Sequence, residues 1–234
     1  NWASEFNTWQ DALDHLTKKI EKIETIISYS SYVGNSTKRK IEVSECRGFV
    51  LVDKYAPFIF INSGDAKAAQ MFTIGHELAH IWIGESAGFD QKQLMPSSDK
   101  TEVFCDKVAA EFLVPEALFK KEWIRDDYDE YIRLSKIFKA SPIVVARRAL
   151  DLSYVEKAGF FDFYDKYIQS IPLRKSGGGS SQSHLFGVRK KVGATFFEQI
   201  HLAAKNSKIS HRELYQLTGV SAKTYDSYVE KFLS

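Results

Sequence analysis

Residues 72–82 read Phe72-Thr73-Ile74-Gly75-His76-Glu77-Leu78-Ala79-His80-Ile81-Trp82, an HExxH motif inside an apolar run of helical length. On an α-helix, residues four apart lie one turn above each other, so His76 and His80 can direct imidazole nitrogens at one metal ion. Glu77 faces the same cleft, where its carboxylate can accept a proton from a water molecule. The spacing therefore predicts a site for one Zn²⁺ ion, with Glu77 as the catalytic base of a hydrolase.

Short motifs of this kind also occur by chance on ordinary surface helices, so the neighbouring residues decide between the two interpretations. The helix is apolar on nearly every face except the one that carries the motif. The apolar residues are Met71, Phe72, Ile74, Leu78, Ala79, Ile81, Trp82 and Ile83. Because a buried helix rarely carries three ionisable groups without a partner, the context favours a metal site.

A third zinc ligand is predicted on the next helical segment, residues 101–115, whose apolar stripe ends at Pro115. Glu102 and Asp106 are four residues apart and share one face of that helix. The simplest assignment makes Glu102 the third ligand and lets Asp106 hold a ligand histidine in the correct tautomer. The alternative is that both are solvated acids, which are favoured near a helix N-terminus.

These residues carry a resemblance to the ImmA/IrrE family of HExxH metallopeptidases, which extends from about residue 36 to residue 150. The matching segments occur in the family's order, and they are Cys46-Arg47-Gly48-Phe49, residues 57–62, residues 72–80 and residues 102–115. In the last of these, the family's pattern is matched at Glu102, Cys105, Ala109, Ala110, Leu113 and Pro115. Asp106 departs from the pattern, since the family usually has Asn there.

The resemblance implies a zinc-dependent endopeptidase that cleaves a partner protein, with Glu102 as the third ligand. It also implies the substrate, a helix-turn-helix transcriptional repressor whose cleavage relieves repression under stress or induction. The alternative is a DNA- or protein-binding transcriptional regulator on an inactive peptidase fold. The intact set of ligands favours the peptidase, because a binding protein has no physical need for Glu77 beside two metal ligands.

The expected fold is α+β, a mostly helical zinc-peptidase domain with a small β-sheet beside the HExxH helix. Residues 46–52 and 58–61 are rich in β-formers and predict a hairpin, whose edge either pairs with the substrate backbone or only supports the helix. Residues 1–30 predict a single amphipathic helix, because apolar residues recur at spacings of three and four. The loop at residues 84–100 is expected to border the cleft.

The predicted domains are a zinc-peptidase-like domain at 1–125, a helix-turn-helix-like module at 126–174, a flexible linker at 175–184 and a helical C-terminal module at 185–234. In the second of these, Ser141 caps a helix that begins at Pro142 and carries Arg147 and Arg148. Acidic residues lie just before this module, at Asp126, Asp127, Asp129 and Glu130. Since such charges weaken attraction to phosphates, packing or substrate docking is favoured over direct DNA binding.

Composition sets limits on the class of protein. Hydrophobic residues make up 44% of the 234, which is enough to form a core and argues against disorder. Cys46 and Cys105 are too few for a disulfide framework, so a reducing compartment, the cytoplasm, is expected. No apolar run predicts a membrane span, and a net charge of +2 gives no bulk attraction to nucleic acid. Composition therefore gives no reason to expect a membrane partner, and the expected partner is the protein substrate that the family resemblance implies.

Overall fold

The computed structural model describes residues 2–34, 36, 38–84, 99–170 and 184–233. Within these residues the chain forms two compact units. The first includes residues 2–16, 65–83 and 99–170, and the second includes the described residues of 17–64 and 184–233. Nearly all of the loop expected at residues 84–100 and of the linker expected at residues 175–184 lies outside the described residues.

The first unit is built from helices that follow one another along the chain. They are a 3₁₀-helix at Trp2–Glu5, the first half of α1 (Trp9–Glu21), α2 (Lys67–Ile83), α3 (Lys100–Leu113), α4 (Glu116–Glu122), α5 (Tyr128–Phe138), α6 (Pro142–Asp151) and α7 (Lys157–Ser170). The predicted helices around His76 and Glu102 are therefore both present, and the second ends just before Pro115 as expected.

The second unit combines a three-stranded sheet with the second half of α1 and four further helices. The strands are β1 (Ile26–Ser30), β2 (Gly48–Leu51) and β3 (Phe58–Asn62), in the order β1-β3-β2. β2 and β3 are antiparallel with Gly48 opposite Ile61, which confirms the predicted hairpin, whereas β1 runs parallel to β3. The helices are α8 (His184–Val192), α9 (Ala194–Lys205), α10 (His211–Thr218) and α11 (Ala222–Phe232). The mostly helical α+β class is thus confirmed.

The prediction of one helix across residues 1–30 is wrong. α1 ends at Glu21, Glu24 takes a left-handed conformation with φ 61°, and β1 begins at Ile26. The backbone N–H of Ile26 donates to the carbonyl of Pro57, and Ile27 is fully buried in the sheet. Pairing with a distant strand and burial of β-branched side chains here outweigh an apolar periodicity that continues the helical pattern only by coincidence.

The predicted helix-turn-helix-like pair is formed by α5 and α6. Ser141 caps α6 by accepting a hydrogen bond from the N–H of Val144, and Pro142 occupies the first helical position, both as expected. Arg148 is buried and not exposed to solvent. Its side chain is 7% exposed and donates to the carbonyl of Val114 and to Glu111, so this guanidinium ties α6 to the end of α3. Arg147 pairs with Asp151 on its own helix.

No helix among the described residues is both long and apolar enough to cross a membrane.

Glu130, at the start of α5, is a buried carboxylate with 3% exposure. It accepts hydrogen bonds from Arg133 and from the N–H of Ile124, and the bond from Arg133 is the main cause that holds the pKa of Glu130 below its usual range. A carboxyl group with a depressed pKa stabilises the fold above its unfolded-state pKa of 4.5, and this stability is lost as the pH falls through the folded-state value.

We therefore expect Glu130→Gln to lower the free energy of unfolding by about 1–3 kcal/mol at neutral pH. The difference from wild type should shrink as the pH falls below 4.5, because the wild-type carboxyl group then becomes neutral as well. Urea denaturation at neutral and acid pH measures both effects. Asp129→Asn, at an exposed position on the same turn, is the control, and an equal loss in that variant would contradict the assignment.

Candidate metal centre

α2 carries three buried ionisable side chains on one helix. His76, Glu77 and His80 are each 1–2% exposed, and the residues around them are buried from Gln70 through Ala79. The HExxH spacing places His76 and His80 one helical turn apart, as the 3.6-residue period requires. Burial of these three side chains costs free energy unless they contact polar partners. The helix that packs against them is expected to supply those partners.

α3 packs against α2 at close range, and Gly75 permits the approach. A Cβ atom at Gly75 would lie 3.3 Å from the Cα of Ala109 and 3.4 Å from its Cβ, so the two helix backbones nearly touch here. Asp99 caps α3 by accepting a hydrogen bond from the N–H of Thr101. The first two turns of α3 therefore lie against the histidines and bring Glu102 and Asp106 to them.

The side chains of His76, His80 and Glu102 converge on one point. The two Nε2 atoms are 3.2 Å apart, and the Glu102 carboxylate oxygens lie 3.1 Å from Nε2 of His76 and 3.3 Å from Nε2 of His80. In a tetrahedral zinc site with metal–ligand bonds of about 2.0–2.1 Å, neighbouring ligand atoms are about 3.3 Å apart. The observed distances and the donor set of two imidazoles and one carboxylate therefore fit one zinc ion.

Asp106 contacts the other nitrogen of His76. Its Oδ1 lies 2.9 Å from Nδ1 of His76, which is hydrogen-bonding distance. If Nδ1 carries the ring proton and donates a hydrogen bond to this carboxylate, Nε2 keeps its lone pair on the side that faces Glu102. The carboxylate of Asp106 therefore lies where it can set the tautomer of His76.

Glu77 is buried beside these ligands. Among the described residues no group hydrogen-bonds to its Oε2, although that atom is shielded from solvent. Burial raises the pKa of the Glu77 carboxyl group to about 7; the nearby His76 opposes the shift, and the charge of Glu102 adds to it. A carboxyl oxygen that is shielded from solvent and lacks a hydrogen-bond partner costs free energy. The position of Oε2 is therefore suited to binding a polar ligand such as water.

The structure brings together all five residues that the sequence singled out: His76, Glu77, His80, Glu102 and Asp106. One positioning residue, Gly75, escaped the sequence analysis, although it lies inside the HExxH helix. A signal for Gly75 exists, since a glycine inside a helix lowers helical stability and calls for a packing reason.

The contact between Asp106 and His76 predicts how substitutions of Asp106 change zinc affinity. Removing the acceptor in Asp106→Ala should lower zinc affinity by about 10- to 100-fold, the usual effect of losing a group that orients a ligand histidine. Asp106→Asn keeps an oxygen that can accept from Nδ1 and should lose much less. Competition with a chromophoric chelator measures both affinities. Equal losses in the two variants would show that the charge of Asp106 matters and its hydrogen bond does not.

Comparison with known proteins agrees with this geometry. Residues 35–150 match the profile of the peptidase family M78, described as the IrrE N-terminal-like domain, and this range contains all five residues of the site. A search of curated proteins finds no match. Through residues 35–150 the chain belongs to the ImmA/IrrE peptidase family M78, a family of zinc-dependent metallopeptidases.

Proposed function

We propose that this protein is a zinc-dependent endopeptidase that cleaves a partner protein in the cytoplasm, and that the partner is a helix-turn-helix transcriptional repressor. Cleavage would relieve repression. The observation that carries the proposal is the convergence of His76, His80 and Glu102 beside the buried carboxyl group of Glu77. The identity of the substrate class rests on the family resemblance alone.

In this proposal His76, His80 and Glu102 hold one zinc ion, and Asp106 fixes the ring of His76. An ion held by these three residues would still be able to bind a water molecule or a substrate oxygen. When bound, zinc supplies a Lewis acid that stabilises negative charge on oxygen during attack on a peptide carbonyl. Among the described residues three ligand side chains converge, which supports a catalytic zinc site, since a structural site uses a fourth protein ligand.

Glu77 acts as the general base. Its Oε2 has no partner among the described residues and lies beside the two histidines, so it can accept a proton from the attacking water. The same carboxyl group can then deliver that proton to the amine nitrogen of the departing peptide. Solvent exclusion around Glu77 strengthens its interaction with the reacting atoms, since the local dielectric constant is low.

A transcriptional regulator on an inactive peptidase fold is the competing function. A regulator that only binds would gain nothing from the free-energy cost of burying Glu77 beside two histidines. Arg148, one of two arginines that a DNA-binding helix could use, is buried against Val114 and Glu111. Both observations support the peptidase.

The test is co-expression of the protein with a candidate helix-turn-helix repressor, followed by mass spectrometry of the repressor. We expect a defined pair of fragments with wild-type enzyme and intact repressor with Glu77→Gln. If zinc-loaded wild-type protein leaves the repressor intact and shows tight, salt-sensitive DNA binding, the regulator is the correct assignment.

A further inference from the structure

α10 and α11 form a helix-turn-helix in the second unit. Three residues separate the two helices. The first of them, Gly219, has a left-handed conformation with φ 65°, and the last, Ser221, caps α11 by accepting a hydrogen bond from the N–H of Thr224. In DNA-binding proteins, two helices joined by a short turn with glycine place the second helix in the major groove. α11 therefore occupies the position of a recognition helix.

One apolar core holds these helices together and leaves one side of α11 accessible. Phe197 of α9, Leu214 of α10 and Tyr228 of α11 belong to this core, and each is at most 1% exposed. The ring centroids of Phe197 and Tyr228 are 3.8 Å apart. The exposed residues on the outer side of α11 are Ala222, Lys223, Asp226, Glu230 and Lys231. This side of the helix can therefore meet a partner without rearrangement of the core.

Residues 32–40 form a basic turn in the same unit. Tyr32 and Lys40 form a β-bridge, and the N–H of Val33 donates to the carbonyl of Arg39. Lys38, Arg39 and Lys40 are all exposed, and among the described residues none of the three side chains forms an ion pair. The positive charge of the turn is therefore available to an anionic partner.

The basic turn adjoins the start of α11. Tyr32 and Gly34 of the turn line the same cavity, of about 410 Å³, as Ser221 and Thr224 at the start of α11. Nζ of Lys191 on α8 donates to the carbonyl of Gly34 over 2.7 Å. The side chain of Lys191 thus holds the turn against α8. The basic turn and the first turn of α11 consequently belong to one surface.

Positive charge dominates this surface. Its exposed cations are Lys38, Arg39, Lys40 and Lys223. Residues 26–41 and 219–225 contain no acidic residue. The next acids along the chain are Glu42 and Glu45, after the basic turn, and Asp226, after the first turn of α11. A carboxylate on a DNA-reading helix can accept a hydrogen bond from the amino group of cytosine, so Asp226 is compatible with DNA.

We propose that this surface binds double-stranded DNA, with the first turn of α11 in the major groove and the basic turn on the phosphate backbone. Phosphate contacts supply most of the affinity, and contacts with base edges supply sequence preference. The acidic residues that disfavour DNA binding by α5 and α6 belong to the first unit. No residue of the proposed surface belongs to the metal centre, so DNA binding and peptide hydrolysis are separate properties.

The experiment measures fluorescence anisotropy of a labelled, random-sequence DNA duplex of about 20 base pairs with the full-length, zinc-loaded protein. We expect a Kd of about 10 μM or lower at about 50 mM salt. The affinity should fall with salt at a logarithmic slope of about 3 to 4, because four cations replace the counterions of the phosphates. Poly-L-glutamate at the same concentration of charge should displace the duplex much less effectively than unlabelled DNA does.

A double substitution tests the basic turn. Lys38→Gln with Arg39→Gln removes two phosphate contacts, so it should lower the affinity by about tenfold or more and the salt slope by about 2. The control is Lys120→Gln with Lys121→Gln, an exposed pair on α4 of the first unit, which changes the net charge equally. The control should retain the wild-type affinity and slope.

Ala222→Glu tests the position of α11. Ala222 is exposed in the first turn of α11, where a glutamate favours the helix itself and so preserves the fold. The new carboxylate should repel the phosphates and weaken binding by about tenfold. Ala158→Glu, at an exposed position in the first turn of α7, is the matched control and should bind as wild type does.

Several outcomes would overturn the proposal. They are no binding at about 100 μM protein and about 50 mM salt, an affinity that salt does not change, or equal losses in a variant and its control. Unchanged binding in Ala222→Glu would remove α11 from the interface. Displacement by poly-L-glutamate as effective as that by unlabelled DNA would make an acidic protein the partner. Glu77→Gln should bind DNA as wild type does, so failure of this proposal and failure of the proposed peptidase are distinguishable.

Discussion

Glu77→Gln should leave the protein folded and zinc-loaded but lower its rate of substrate cleavage by about a hundredfold or more. Gln has nearly the shape of Glu, so the packing of α2 is kept, while the amide cannot accept a proton from water. The zinc ligands proposed here, His76, His80 and Glu102, do not include Glu77, so metal content should remain at one ion per chain. The effect should fall on kcat, because proton transfer belongs to the chemical step.

The measurement is single-turnover cleavage of the purified repressor, with zinc content determined on the same sample. Glu198→Gln, an exposed isosteric change on α9, is the control and should keep the wild-type rate. Near-normal cleavage by Glu77→Gln would move the general base to another group. Loss of zinc in that variant would instead make Glu77 a ligand, which would contradict the assignment of Glu102.

The geometry of the candidate site could be predicted from sequence where it depends on helical spacing. His76 and His80 are one turn apart, and so are Glu102 and Asp106, because the 3.6-residue period fixes both relations locally. The packing of these two pairs against each other could not be predicted from helical spacing. It depends on the contact between Gly75 and Ala109, which belong to different helices and are linked by no periodicity. The family resemblance supplied this link when the local pattern could not.

The wrong prediction of one helix across residues 1–30 has the same physical origin, because it also depends on partners that lie far away in the sequence. Ile26 and Ile27 continue the apolar spacing of α1, yet they form β1, because their hydrogen-bond partners lie on β3 far along the chain. The burial of Arg148 likewise could not be read from its own helix. Its partners, Glu111 and Val114, belong to α3 and its C-terminal end, and only tertiary packing brings them together. Local propensity is a weak guide wherever distant partners decide the outcome.

His80→Ala should abolish stoichiometric zinc binding. Removal of one ligand from a set of two imidazoles and one carboxylate leaves two protein groups, too few to hold zinc against dialysis. The variant should still fold, because the cavity left by an imidazole is small and the removed group is polar. Metal analysis by mass spectrometry after dialysis measures the zinc content directly. His211→Ala, at an exposed position on α10, is the control and should retain one zinc per chain.

A second readout separates loss of the metal from general damage to the fold. A ligand that binds only the native state raises the melting temperature, so a chelator should lower the Tm of wild-type protein. His80→Ala should have a Tm close to that of chelator-treated wild type and should not respond to the chelator. A full complement of zinc in folded His80→Ala would place the ion elsewhere. Because Glu77 is proposed to act only beside an ion held by His76, His80 and Glu102, that result would also remove the basis for the peptidase mechanism.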